Sequence, residues 1–134
     1  MTERLGLTDK ILYVEDDPDI RAIAEIALQD VGGLTARLCE SGAEALEQAP
    51  DFAPDLVLLD VMMPGMDGPA TLRALRQVQG LETVPVIFMT ARLQRSEIAE
   101  YRALGAAGVI PKPFDPMTLS EQIADILNGP PGSK

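Results

Sequence analysis

Asp60 ends the apolar run Leu56-Val57-Leu58-Leu59 and is followed at once by Val61-Met62-Met63-Pro64-Gly65-Met66-Asp67-Gly68. A carboxylate placed there can act as a covalent nucleophile or as a ligand for a hard cation. It can also do no more than cap a helix, since Asp is common at that position. Glu15-Asp16-Asp17, directly before Pro18, poses the same choice three times over. Thr90 offers a hydroxyl and Lys112 an ammonium, each close behind a further apolar run. Taken singly, Thr90 is more often a structural strand end and Lys112 usually a solvated charge. Their meaning depends on whether the chain brings them to one place.

The elements that must position them follow from hydrophobic spacing. Leu56 to Asp60 reads as a strand buried on both faces, which places Asp60 at the carboxyl edge of its sheet. Lys10 to Glu15 carries Ile11, Leu12, Tyr13 and Val14 and predicts a first strand. Pro18 suits a first helical turn, and Ile20, Ile23, Ala24, Ala27, Leu28 and Val31 recur at helical spacing up to Gly32-Gly33. Leu34 to Glu40 predicts a more exposed strand. Ser41-Gly42-Ala43-Glu44 matches a capping box that opens a short helix through Leu46, with Pro50 and Pro54 bounding the next loop. A third helix starts at Asp67-Gly68, with Leu72, Leu75 and Val78 inward. Val84 to Met89 is a fourth strand ended by Thr90, Ser96 to Leu104 a fourth helix, and Ala107 to Ile110 a fifth strand. Asp115 caps a last helix with Pro116 at its first position and Leu119, Ile123, Ile126 and Leu127 on its inner side.

Strands alternating with helices imply an α/β fold: a doubly wound, five-stranded parallel sheet with helices on both faces and right-handed crossovers. In one of the two common doubly wound orders, the flavodoxin-like 2-1-3-4-5 expected here, the first and third strands are neighbours and the ligand crevice lies between them. Residues 10–128 make one domain, 1–9 a mobile N-terminal arm and 129–134 a flexible tail.

Composition removes several classes of function. The 134 residues contain no histidine, which excludes Ser-His and Cys-His catalysis and His-ligated zinc. Cys39 is the single cysteine and cannot form an intrachain disulfide. A net charge of −10 argues against direct binding to nucleic acid or an anionic membrane. The start has no apolar signal core and no apolar run approaches transmembrane length, so a cytoplasmic protein is expected.

In a parallel sheet all carboxyl ends share one edge. That edge receives Glu15, Asp16 and Asp17 from the first strand, Asp60 from the third, Thr90 from the fourth and Lys112 just after the fifth. At about 4 Å each pair of like charges costs roughly 1 kcal/mol in water and several times more where water is partly excluded. A divalent cation removes the conflict. Mg2+ is the expected one, because it takes a few carboxylates and keeps water and phosphate oxygens as its other ligands.

In this order and spacing, Val14-Glu15-Asp16-Asp17, the run from Asp60 to Gly68, Thr90-Ala91 and Lys112-Pro113-Phe114 resemble the receiver domain of bacterial two-component response regulators. The resemblance covers about Ile11 to Leu127. It implies that Asp60 is the phosphoacceptor and that its donor is a histidine kinase or histidine phosphotransfer protein. It implies direct Mg2+ ligation by Asp17, Asp60 and the backbone carbonyl of Met62, with Asp16 acting largely through bound water. Thr90 and Lys112 would hold phosphoryl oxygens, the Lys112-Pro113 bond would be cis, and Met62 and Arg92 would tune hydrolysis of the acyl phosphate. Output would run through a protein-binding surface, with no direct contact to nucleic acid or membrane.

Three positions depart from the family pattern. Val109 stands where many members carry an aromatic switch residue. Ala107 and Gly108 replace two acids of the usual dimer face, so a monomer or weak dimer is expected. Pro111 directly precedes Lys112. Other readings are open at this point. A Mg2+-dependent phosphatase of the haloacid dehalogenase type needs an Asp-x-Asp that neither Asp16-Asp17-Pro18 nor Asp60-Val61-Met62 supplies. A flavodoxin-like carrier needs hydroxyls and glycines where this chain has Glu15, Asp16 and Asp17. A receiver-shaped binding module that is never phosphorylated would not need the complete acidic set.

Overall fold

The computed structural model describes residues 9–91 and 94–128. The expected arm therefore lies outside the described residues except for Asp9, as do the tail and Arg92. Five strands, β1 (Lys10–Val14), β2 (Thr35–Cys39), β3 (Leu56–Asp60), β4 (Val86–Thr90) and β5 (Gly108–Pro111), form one sheet in the order β2-β1-β3-β4-β5. Every neighbouring pair is parallel. The expected topology and fold class are those observed. The helices are α1 (Pro18–Glu25), α2 (Gly42–Phe52), α3 (Gly68–Leu75), α4 (Arg95–Ala103) and α5 (Leu119–Asn128).

Strand periodicity divides the core between the two faces. Leu12, Val14, Val57, Leu59, Val86 and Phe88 meet Ala45, Ala49, Leu72, Leu75 and Tyr101 from α2, α3 and α4. Ile11, Tyr13, Leu56, Leu58, Ile87 and Met89 meet Ala24, Ala27, Leu28, Leu119 and Ile123 from the other side. β3 lies between β1 and β4 and all five of its residues are buried. Burying each such Leu or Val side chain contributes about 1.5–3 kcal/mol, which is why an apolar run without alternation forms the central strand. Among the described residues no helix is long and apolar enough to cross a membrane.

Several boundaries differ from expectation. α2 runs on past Leu46 to Phe52 with Pro50 inside it. Ala45, Ala49 and Phe52 are buried at helical spacing, and that burial outweighs the hydrogen bond that Pro50 cannot donate. Ala53 then stops the helix with a left-handed backbone, φ 53°. The first helix changes at Ile26 into a π-helical turn, Ile26–Val31, in which Gly32 N–H donates to Ala27 O at 3.0 Å. The wider turn and the edge of the buried stripe leave Ile23, Ile26 and Val31 exposed. β4 begins at Val86 and β5 is shifted by one residue to end at Pro111. Asp115 does cap, its Oδ1 accepting from Met117 N–H at 2.9 Å, but it closes a turn over 116–118 that precedes α5 proper.

Candidate functional site

The site at the carboxyl edge of the sheet is assembled from four strand ends, those of β1, β3, β4 and β5. Asp60 closes β3, where only 2% of its surface is exposed. The chain leaves it under tight control: Val61 N–H donates to Met89 O at 3.1 Å, and Gly68 N–H returns to Val61 O at 2.9 Å. Asp67 caps α3, its Oδ1 accepting from Ala70 N–H at 2.9 Å, so the β3–α3 loop is fixed at both ends. Thr90 closes β4 and is buried. Its carbonyl accepts from Lys112 N–H at 2.9 Å, which anchors the residue that follows β5. The Lys112-Pro113 peptide bond is cis.

Glu15 extends β1 by one further bond, its N–H donating to Cys39 O at 2.9 Å. Its side chain faces the same side of the sheet as Tyr13 and is buried. Oε1 accepts from Lys112 Nζ at 2.9 Å and lies 3.5 Å from the Tyr13 hydroxyl. Oε2 accepts from Asp17 N–H at 3.1 Å. Lys112 Nζ also donates to Asp60 Oδ1 at 3.1 Å, so one ammonium bridges two buried carboxylates.

The three acids that converge are Glu15, Asp16 and Asp60, whose carboxylate oxygens lie within 4.8 Å of one another. Asp17, expected as a metal ligand, is turned elsewhere. Its Oδ1 accepts from Asp19 N–H at 2.8 Å and from Ile20 N–H at 3.4 Å, capping α1. The physical reason is the start of α1 at Pro18, which makes residue 17 the N-cap and leaves its side chain facing the first turn. Glu15 takes the place at the edge. Strand parity was the available signal, since Tyr13 and Glu15 share a face of β1.

Electrostatics follow from this crowding. Burial raises the Glu15 carboxyl above its ordinary range; Lys112 opposes that, and Asp60 adds to it. Burial pulls the Lys112 ammonium down, but its hydrogen bonds to Glu15 and Asp60 outweigh this and hold it above the usual lysine range. Burial first, then the charge on Glu15 and Asp60, push the Tyr13 phenol far up, so it stays a hydroxyl donor. Three carboxylates facing one ammonium form an all-oxygen set with negative charge in excess, the donor chemistry that suits a hard divalent cation. Met62 lies in the loop just beyond, 70% exposed, beside an open recess shared with Met63, Pro64 and Asp67.

The family model for the response regulator receiver domain matches residues 11–124. The chemotaxis protein CheY of Pseudomonas aeruginosa is 35% identical over 118 residues, 88% of this chain and 95% of that protein. The DNA-binding transcriptional regulator NtrC of Escherichia coli is 42% identical over 105 residues, 78% of this chain but only 22% of NtrC. The chain thus spans about a fifth of NtrC, and about half of the response regulator Rre1 of Synechocystis, where the match covers 51%. Among solved structures, chemotaxis protein CheY4 of Vibrio cholerae superposes with a TM-score of 0.82 at 31% identity, covering 90% of this chain and 99% of that one. Family match, sequence relatives and fold agree over nearly the same residues, and this chain belongs to the response regulator receiver domain family of two-component signalling.

Proposed function

We propose that Asp60 accepts a phosphoryl group from a phosphohistidine on a partner protein, a histidine kinase or a histidine phosphotransfer protein. The observation that carries this is the setting of Asp60: a buried carboxylate at a strand end, held beside Glu15, Asp16 and the Lys112 ammonium. The histidine must come from outside, because the chain has none. In the transfer an Asp60 oxygen bonds to phosphorus while the P–N bond of the donor breaks, and the imidazole nitrogen leaves with the electron pair. Lys112 meets the charge on the moving phosphoryl oxygens and the Thr90 hydroxyl holds one of them, so positioning and electrostatics supply the catalysis. Asp16 and Asp60, with Glu15 behind them and the Met62 carbonyl, are the groups that would hold Mg2+. When bound, the cation neutralises phosphoryl charge. The protein is not an enzyme in the sense of turning over a separate substrate; it catalyses only its own phosphorylation and dephosphorylation.

The donor approaches from the open carboxyl edge. Beside Lys112 that edge carries an apolar recess lined by Ile20, Ile23, Pro113 and Phe114. Ile23 is 43% exposed on α1, and an apolar face next to a buried nucleophile suits the helix that presents the phosphohistidine. Output runs through a protein surface on the α4 and β5 side, reached from Thr90.

Incubation with a small phosphodonor and Mg2+, followed by intact mass measurement, tests the proposal. Wild type should gain one phosphoryl group and Asp60→Asn none. Equal gain by both would remove Asp60 as the acceptor.

A further inference from the structure

Tyr13 has no part in the transfer as described, yet it is the one aromatic hydroxyl buried beneath the acidic cluster. The side chain is fully buried in β1, and among the described residues its hydroxyl has one partner, Glu15 Oε1. At 3.5 Å that contact is long for a hydroxyl and a carboxylate, which favour about 2.5–3.0 Å. The reason is visible in the same atom: Glu15 Oε1 is already engaged by Lys112 Nζ at 2.9 Å. Lys112 is shared in turn with Asp60.

Resting on the assignment of Asp60 as phosphoacceptor, we propose that Tyr13 is a positioning residue that takes over Glu15 when Lys112 is drawn to the phosphoryl group. The lysine has three donors but one position. Oxygens added to Asp60 pull it away from Glu15, and a buried carboxylate oxygen left without a donor costs more than the lost bond itself. The phenol stands behind Oε1 on the same strand face and stays protonated beside two carboxylates. A small approach closes its long contact into a full hydrogen bond. Glu15 then keeps its place against the cation site, with Oε2 still held by Asp17 N–H. Phenylalanine at this position would fill the same space and offer no donor.

The chain has two tyrosines, Tyr13 and Tyr101, and no tryptophan, so its near-ultraviolet band reports on these two rings. The test compares the full chain in Mg2+ alone with the chain in Mg2+ plus beryllofluoride, for wild type, Tyr13→Phe and Tyr101→Phe. Tighter hydrogen bonding to a carboxylate shifts a phenol band to longer wavelength. The shift is expected in wild type and Tyr101→Phe and absent in Tyr13→Phe. Beryllofluoride affinity should fall about tenfold in Tyr13→Phe, the scale of one hydrogen bond to a charged group. Mg2+ binding in the absence of beryllofluoride should be retained, which shows that the variant is folded and the loss specific to the phosphoryl-like state. Equal beryllofluoride affinity in wild type and Tyr13→Phe, or a shift that survives in Tyr13→Phe, would overturn the hand-over. Failure of wild type to take up beryllofluoride at all would instead overturn the phosphoacceptor assignment, and the hand-over with it.

Discussion

Gly68 packs its bare α-carbon against the backbone of Asp60: a Cβ there would come within 2.7 Å of the Asp60 carbonyl oxygen and 2.8 Å of Val61 Cα. Both obstacles are main chain, so no side chain can swing aside. Gly68→Ala must push α3 away from the end of β3 or distort the loop. The expected cost is about 1–3 kcal/mol of stability, the usual scale of overpacking. A thermal midpoint lowered by several degrees, together with slower phosphate uptake at Asp60, is the predicted outcome. An unchanged melting curve would show that the loop has slack the distances do not suggest.

Asp16 and Asp17 should separate cleanly by mutation. Asp16 belongs to the cluster with Glu15 and Asp60, whereas Asp17 caps α1. Asp16→Asn is expected to weaken Mg2+ binding at least tenfold by calorimetry, about the loss that follows from disturbing a metal site. Asp17→Ala should cost about 1 kcal/mol of stability with Mg2+ affinity close to wild type, and Asp17→Asn, an equally good cap, should cost almost none. Mg2+ affinity lost in Asp17→Asn and kept in Asp16→Asn would reverse the assignment.

The pH dependence of stability without added cation carries a defined sign. The Glu15 carboxyl is raised above its ordinary 4.5, chiefly by burial. Over the interval above 4.5 the folded protein holds a proton that the unfolded chain has released. Stability from this group is therefore full below 4.5 and is lost as pH rises through the raised folded value. Glu15→Gln removes that contribution. Its thermal midpoint should fall less than that of wild type as pH is taken from 4.5 into the mildly acidic range. Parallel curves would mean that Lys112 neutralises Glu15 throughout.

Cation binding should itself stabilise the fold. At a free Mg2+ concentration of 100 times the dissociation constant, linkage predicts about 2.7 kcal/mol, with little gain in Asp16→Asn. Denaturant titrations with and without Mg2+ measure it, and an equal gain in Asp16→Asn would point to a site elsewhere on this acidic chain.

Gly108 lies against α5: a Cβ there would stand 2.6 Å from Ile126 Cγ2. A side chain at this place, an acidic one included, would have to displace Ile126, and Val109 beside it carries no ring. Beryllofluoride should leave the protein a monomer, or produce a dimer through a surface other than α4, β5 and α5. Light scattering measures the mass and amide shifts locate any interface. A dimer across α4, β5 and α5 would contradict the prediction.

Spacing and hydrophobicity determined the parallel sheet, and they left its order as one of two common doubly wound arrangements, of which the structure shows 2-1-3-4-5. Uninterrupted apolar runs as short as Leu56–Leu59 and Val86–Met89, bounded by turn residues, read as strands covered on both faces, and their alternation with helical stripes admits few topologies. The same spacing put Asp60, Thr90 and Lys112 at one edge, because parallel strands end together. Tertiary structure decided what local pattern left degenerate. Three consecutive acids at Glu15, Asp16 and Asp17 look alike in a string. Only the register of β1 and the start of α1 at Pro18 turn Glu15 inward under Lys112 and spend Asp17 on a helix cap. Pro50 reads as a stop, yet the burial of Ala49 and Phe52 against the sheet carries α2 through it. Tyr13 reads as one more apolar strand residue. Its hydroxyl lies 3.5 Å from Glu15 Oε1, an oxygen that Lys112, 97 residues away and carried there by β5 and the turn after it, already engages at 2.9 Å. Periodicity records which face a residue takes; it does not record which distant atom waits on that face.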